Sequence, residues 1–120
     1  MNKKPNIIKD KTYKFALDII NIYKQMIKQN EFTLSKQLVR AGTSIGANVE
    51  EASAAQSRKD FISKMAISSK EARETNYWLR LLRDSNLSDG IDYTDLINES
   101  EEIIAILTSI VKTTSKRDNS

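Results

Sequence analysis

Residues 37–52, Gln37-Leu38-Val39-Arg40-Ala41-Gly42-Thr43-Ser44-Ile45-Gly46-Ala47-Asn48-Val49-Glu50-Glu51-Ala52, read as one helix with two unlike stripes. The apolar stripe is Leu34, Leu38, Ala41, Ile45, Val49 and Ala52, whose steps of three and four are the repeat of a buried helix seam. Beside it run Gln37, Arg40, Ser44, Asn48 and Glu51, a polar stripe that includes charges costly to bury unpaired. Gly42 and Gly46 lie between the stripes. A glycine in a helix costs about 1 kcal/mol relative to alanine, so two of them point to close approach by another helix. A chain built around this segment packs as a tight helical bundle, with a polar seam that another helix or another subunit satisfies.

The remaining periodicity supplies three more helices. The first is expected over about residues 10–29, with Phe15, Ile19, Ile22 and Met26 in steps of three and four and Ala16, Ile20, Tyr23 and Ile27 widening the face. The second, over about 33–55, follows a link of only Asn30-Glu31-Phe32, so the two are antiparallel neighbours. Ser57-Arg58-Lys59-Asp60 has the form of a capping box opening a third helix that ends near 85. Its core seam is Phe61, Met65, Ser68, Ala72, Thr75, Leu79 and Leu82. A second seam, Ile67, Glu71, Glu74, Trp78 and Leu81, keeps the same spacing, and a helix with two seams touches two partners. After the turn 86–91, a fourth helix starts near Asp92 with the seam Tyr93, Leu96, Ser100, Ile103, Leu107 and Ile110. The chain is one all-α domain over 1–120, an up-down-up-down antiparallel four-helix bundle with an ordered core over about 10–111. The polar end from about Lys112 is expected to fray.

Counting outward from Ser57 gives the heights of facing residues. Fifteen residues each way pairs Gly42 with Ala72, and eleven pairs Gly46 with Ser68. Small residues therefore meet small residues. The same ruler sets Arg40 level with Glu74 and one turn from Glu71, which predicts a buried, bidentate Arg–carboxylate contact.

Composition removes much chemistry. The chain has no histidine and no cysteine, which excludes disulfides, thiolate nucleophiles, histidine bases and Cys/His metal sites. Carboxylates such as Glu51 and Glu71 could hold a metal between helices, but the Glu-x-x-His pairs of such bundles cannot occur without histidine. There is no glycine-rich phosphate loop and no serine triad, so no enzyme activity and no cofactor are expected. The N-terminus lacks the apolar run of a signal peptide, and no segment approaches the roughly 20 apolar residues of a membrane span. A cysteine-free chain fits a cytoplasmic location. The net charge is +3, unevenly spread: residues 1–30 carry seven lysines against two aspartates, and residues 91–120 carry six acidic groups against three basic ones. Pairing between the first and last helices follows.

The quoted residues resemble a known family. Gln37-Leu38-Val39-Arg40-Ala41, Ser44-Ile45, Asn48-Val49 and Glu51 match it on the second helix. Ser57-Arg58-Lys59-Asp60-Phe61, Lys70-Glu71-Ala72, Glu74-Thr75 and Tyr77-Trp78-Leu79 match it on the third. The pattern is similar to that of the bacterial four-helix-bundle proteins encoded in intervening sequences of 23S rRNA genes, labelled ribosomal-protein-like for that reason. It spans about residues 10–110. Ala52 departs from it, since glycine usually follows the glutamate there. The resemblance implies a ring of five identical subunits. It also brings in a related branch, the accessory variability proteins of diversity-generating retroelements, basic pentamers that associate with a reverse transcriptase and nucleic acid.

Two functions are consistent with these features. One is a non-enzymatic homo-oligomeric adaptor that binds RNA or DNA weakly and without sequence preference. Lys59, Lys70, Arg73 and Arg80 fall within about a quarter-turn of the third helix, and Lys11, Lys14, Lys24 and Lys28 add to them from the first. The other is a protein-interaction or assembly module for an unidentified protein partner, with Ile67, Trp78 and Leu81 as its oligomer interface.

Overall fold

The computed structural model describes residues 4–118. Among them are four helices: α1 (Lys4–Lys28), α2 (Thr33–Ser53), α3 (Arg58–Ser85) and α4 (Thr94–Asp118). Each packs on the next in sequence, and α4 returns to α1, giving a rod of 50 × 22 × 22 Å. The expected apolar seams form its axis. Phe15, Ile19, Met26, Leu38, Ile45, Val49, Met65, Leu79, Ile103 and Leu107 are fully buried. Ile8 and Thr12 extend the α1 seam by a turn not anticipated from the sequence.

Helix ends differ from the sequence expectation at three places. The first helix begins at Lys4 instead of near 10, with Pro5 in its first turn, where no intrahelical donor is lost. The second stops at Ser53, two residues early. The fourth runs to Asp118 instead of fraying from Lys112; Val111 still packs on the core and Thr114 Oγ1 donates to Ile110 O at 2.7 Å.

The turns carry specific chemistry. At the end of α1, Asn30 takes the left-handed conformation (φ 62°). The Glu31 N–H then donates to Met26 O and the Asn30 N–H to Ile27 O, both at 3.0 Å, which is a Schellman closure. Glu31 also caps the next helix: its carboxylate accepts from the N–H groups of Leu34 (3.0 Å) and Ser35 (2.7 Å). Ser57 caps α3, accepting from Asp60 N–H at 3.0 Å, as the capping box predicts. Gln29 joins this end of the bundle to the loop before α4. Its Nε2 donates to Asp89 O (2.7 Å) and its Oε1 accepts from Asp89 N–H (3.0 Å).

The glycines face a different neighbour from the one the ruler assigned. A Cβ on Gly42 would lie 2.9 Å from Cγ1 and Cγ2 of Ile19, on α1, so Gly42 admits α1 and not Ala72 of α3. Gly46 likewise faces Thr12 of α1. The heights were right: Ser68 Oγ donates to Ile45 O at 2.8 Å, one residue from Gly46. The ruler gives level along the axis and says nothing of direction around it.

Candidate nucleic-acid interface

Helix α3 presents two outward stripes. The first lies toward α2 and centres on Arg40. Its guanidinium reaches Glu71 Oε2 at 3.1 Å through Nη1 and contacts Glu74 through Nη2. The pairing is the expected one, within one chain. It is not buried as expected: the Arg40 side chain is 49% exposed, although Glu71 is only 14% exposed. In the rest of the polar stripe, Ser44 and Asn48 are satisfied within α2, and Glu51 by a cation of the facing helix α3. Ser44 Oγ donates to Arg40 O (2.6 Å), Asn48 Nδ2 donates to Ser44 O (2.8 Å), and Glu51 pairs with Lys64 (3.0 Å). Glu51 and Glu71 thus each hold a cation, and among the described residues no cluster of three or more acidic groups is placed to hold a metal ion.

Trp78 joins the same node, its Nε1 donating to Glu74 Oε2 at 2.9 Å. The indole hydrogen bond, then Arg40, hold the Glu74 carboxyl below the usual carboxylate range. Trp78 packs in part against the core, so of the three interface candidates only Ile67 and Leu81 are exposed, at 41% and 36%.

The second stripe faces away from α2. Lys59, Lys70, Arg73 and Arg80 are all exposed on one face, as their spacing predicts. Arg73 Nη2 donates to Thr108 Oγ1 of α4 at 3.1 Å. Arg80 Nε donates to Asn76 Oδ1 at 2.8 Å, and Asn76 Nδ2 donates to the buried Ser100 Oγ at 2.9 Å. Asn76 sits beside the core seam, and the i, i+4 spacing to Arg80 was the available signal for its role. Tyr77 lies in the middle of this stripe, with the Arg80 guanidinium 6.0 Å from its ring centre.

Ion pairs occupy part of the basic first helix. Lys9 meets Glu50, Lys11 meets Glu102, and Lys14 meets Asp18 and Glu99, so the basic first helix and acidic last helix do pair. Lys11 and Lys14 are therefore occupied, and Asp18, then Glu99, raise the Lys14 pKa. Among the described residues, no carboxylate lies within ion-pair distance of Lys59, Lys70, Arg73 or Arg80. Four exposed cations on one helix face, none in a direct ion pair among the described residues, form a surface suited to a polyanion. No described helix is long and apolar enough to cross a membrane.

Comparison with known proteins agrees with this architecture. A crystal structure of a protein with unknown function from the S23 ribosomal protein family of Bacteroides thetaiotaomicron VPI-5482 superposes with a TM-score of 0.86. It is 50% identical, and the match covers 91% of this chain and 98% of that one. No curated protein matches. Neither that protein nor the family carries a catalytic activity in its description. The family model of the 23S rRNA-intervening sequence proteins matches residues 4–109, which takes in the first three helices and most of the fourth, and the chain belongs to that family.

Proposed function

We propose that this protein is a non-enzymatic, homo-oligomeric adaptor that binds RNA or DNA through the outer face of α3, without reading sequence. The observation that carries the reading is the set of unpaired cations at Lys59, Lys70, Arg73 and Arg80. Phosphates would replace water and counterions there without breaking an existing ion pair. The chain offers lysines and arginines but no base-reading motif, so contact is electrostatic. A net charge of +3 per chain is modest, and assembly into a ring of five multiplies it. The likeness to the accessory proteins of diversity-generating retroelements supports the same direction, and the lack of cysteine fits a cytoplasmic setting.

The test is fluorescence anisotropy with labelled RNA and DNA oligonucleotides across a salt series. Binding at low salt should weaken steeply as salt rises, with a log–log slope of about −3 for four displaced cations on a single strand. Charge reversal at Lys70, Arg73 and Arg80 together should abolish binding and leave the oligomer mass unchanged. No binding to single- or double-stranded RNA or DNA at low salt overturns the proposal.

A second reading rests on Ile67 and Leu81, exposed one turn either side of the Glu71–Glu74–Trp78 node. It makes the protein an assembly module for another protein, with no role for nucleic acid. Binding that is absent at low salt, together with an intact oligomer, favours this reading.

A further inference from the structure

We infer that the outer face of α3 takes single-stranded nucleic acid in preference to duplex, with a base stacked on Tyr77 and the adjoining phosphate held by Arg73 and Lys112. This inference rests on the nucleic-acid reading above and names the form of its ligand.

Tyr77 is the observation that leads there. It is 48% exposed, on the face of α3 that also carries Lys70, Arg73 and Arg80. It is no part of the core, whose neighbouring seam residues are Thr75, Asn76 and Leu79. Its ring is nonetheless held. Trp78 meets it edge-on, with centroids 5.2 Å apart and an interplanar angle of 65°. Arg80 stands 6.0 Å from the ring centre, itself fixed by the bond to Asn76. A positioned, exposed aromatic ring among cations is the arrangement that stacks bases while the strand's phosphates are neutralised alongside. Every base has a face to offer, so such stacking needs no sequence preference. In a duplex the base faces are covered by their neighbours, and the ring finds nothing to stack on.

A phosphate position lies one turn away. Arg73 precedes Tyr77 by four residues, which places the two side chains next to each other on the helix surface. The bond from Arg73 to Thr108 draws the guanidinium over a groove of about 260 Å³ between α3 and α4. Lys112 lines the same groove from the α4 side, with Ser69 and Thr108 adding hydroxyl donors. Lys112, like Arg73, has no carboxylate partner among the described residues. Two cations and two hydroxyls from facing helices line a concavity whose remaining walls, Ala66 and Val111, are apolar, and only the fold brings Lys112 to it. In the sequence that residue stands in a polar tail with nothing to mark it.

The experiment compares three labelled probes at low salt: an oligothymidylate, an abasic sugar–phosphate strand of the same length, and the matching duplex. The full chain should bind the oligothymidylate about 5- to 150-fold more tightly than the abasic strand, the range that one stacked base contributes. Tyr77→Ala should erase that difference, and Tyr77→Phe should keep it. Arg73→Gln and Lys112→Gln should weaken the abasic and thymidylate strands by the same factor. Circular dichroism of Tyr77→Ala, which removes an exposed ring, should match the parent. Equal binding of abasic and thymidylate strands, or tighter binding of the duplex, overturns this inference and leaves the electrostatic reading standing. Failure of all three probes to bind overturns both.

Discussion

A Cβ built on Gly42 would sit 2.9 Å from two carbons of Ile19, a distance that forces one of the residues to move. Ile19 is fully buried, so it has little room to give. Gly42→Leu should therefore lower stability by about 1–3 kcal/mol, although leucine is the better helix former. Gly46 is the internal control. Its added Cβ would be 3.4 Å from the nearest atoms of Thr12, close to ordinary contact. Gly46→Ala should leave the urea midpoint unchanged or raise it, and equal losses at both glycines would show that helix spacing is not set by Gly42. Glu74 gives a pH prediction. Its folded-state pKa is held below the ordinary 4.5, first by the Trp78 indole and then, against some desolvation, by Arg40. A depressed carboxylate contributes stability that is complete above its unfolded pKa and is lost as pH falls through the folded value. Urea unfolding should weaken on acidification below about pH 4.5, and Glu74→Gln should flatten that part of the profile. Trp78 is the only tryptophan, so its emission reports the node directly. Arg40→Ala should cost about 1–3 kcal/mol by leaving a partly buried carboxylate unpaired. That is less than a fully buried pair would imply, since half of the Arg40 side chain is in water.

At the scale of elements, the start of α2 depends on an acid that the sequence does not advertise. The residue at the N-cap is Phe32, which has no side-chain acceptor, and Glu31 reaches over it to the N–H groups of Leu34 and Ser35. Glu31→Ala should cost about 0.5–2 kcal/mol, the range for losing a cap. Hydrogen exchange should localise the loss to the first turn of α2, and uniform loss across the four helices would contradict the capping role. The cap was missed because sequence reading looks for serine, threonine, asparagine or aspartate at the cap itself, and here the carboxylate comes from the residue before. The cap of α3 was legible, since Ser57 and Asp60 stand in the usual places. Helix seams were legible for a simpler reason: three-four spacing is imposed by the helix, and Phe15, Leu38, Met65 and Leu107 all keep it and are all buried. Heights were legible because the link between α2 and α3 is short, which put Arg40 beside Glu74. Which neighbour each face meets was not legible, and Gly42 was assigned to α3 although it serves α1. The far end of α4 was hidden because polarity after Lys112 says nothing of Val111, which still packs on the core, or of Thr114, whose hydroxyl bonds back to Ile110 O.

The whole molecule leaves Ile67 and Leu81 in water on the α2 side of α3, and Tyr13 and Leu17 exposed on α1. The chain therefore has apolar surface on two helices that do not adjoin in the square of the bundle. A two-fold dimer uses one patch against itself and leaves the other wet. A heterologous contact uses both at every junction and closes when the rotation per subunit divides a full turn. That geometry suits head-to-tail assembly, of which the proposed ring of five is one closed form. Five chains of 13.7 kDa give a particle of about 69 kDa, which light scattering separates from the monomer and from smaller rings. Ile67→Glu with Leu81→Glu should break the ring, since charges placed in an apolar contact have no partner there. Neither residue is buried in the single chain, so the helical content of the double variant should survive. Its binding to nucleic acid should fall as well, because separated subunits each offer one basic stripe where the ring offers five on a common scaffold. A monomeric mass for the parent at micromolar concentration would refute the ring. Unchanged mass in the double variant would instead keep the ring and move its interface away from α3.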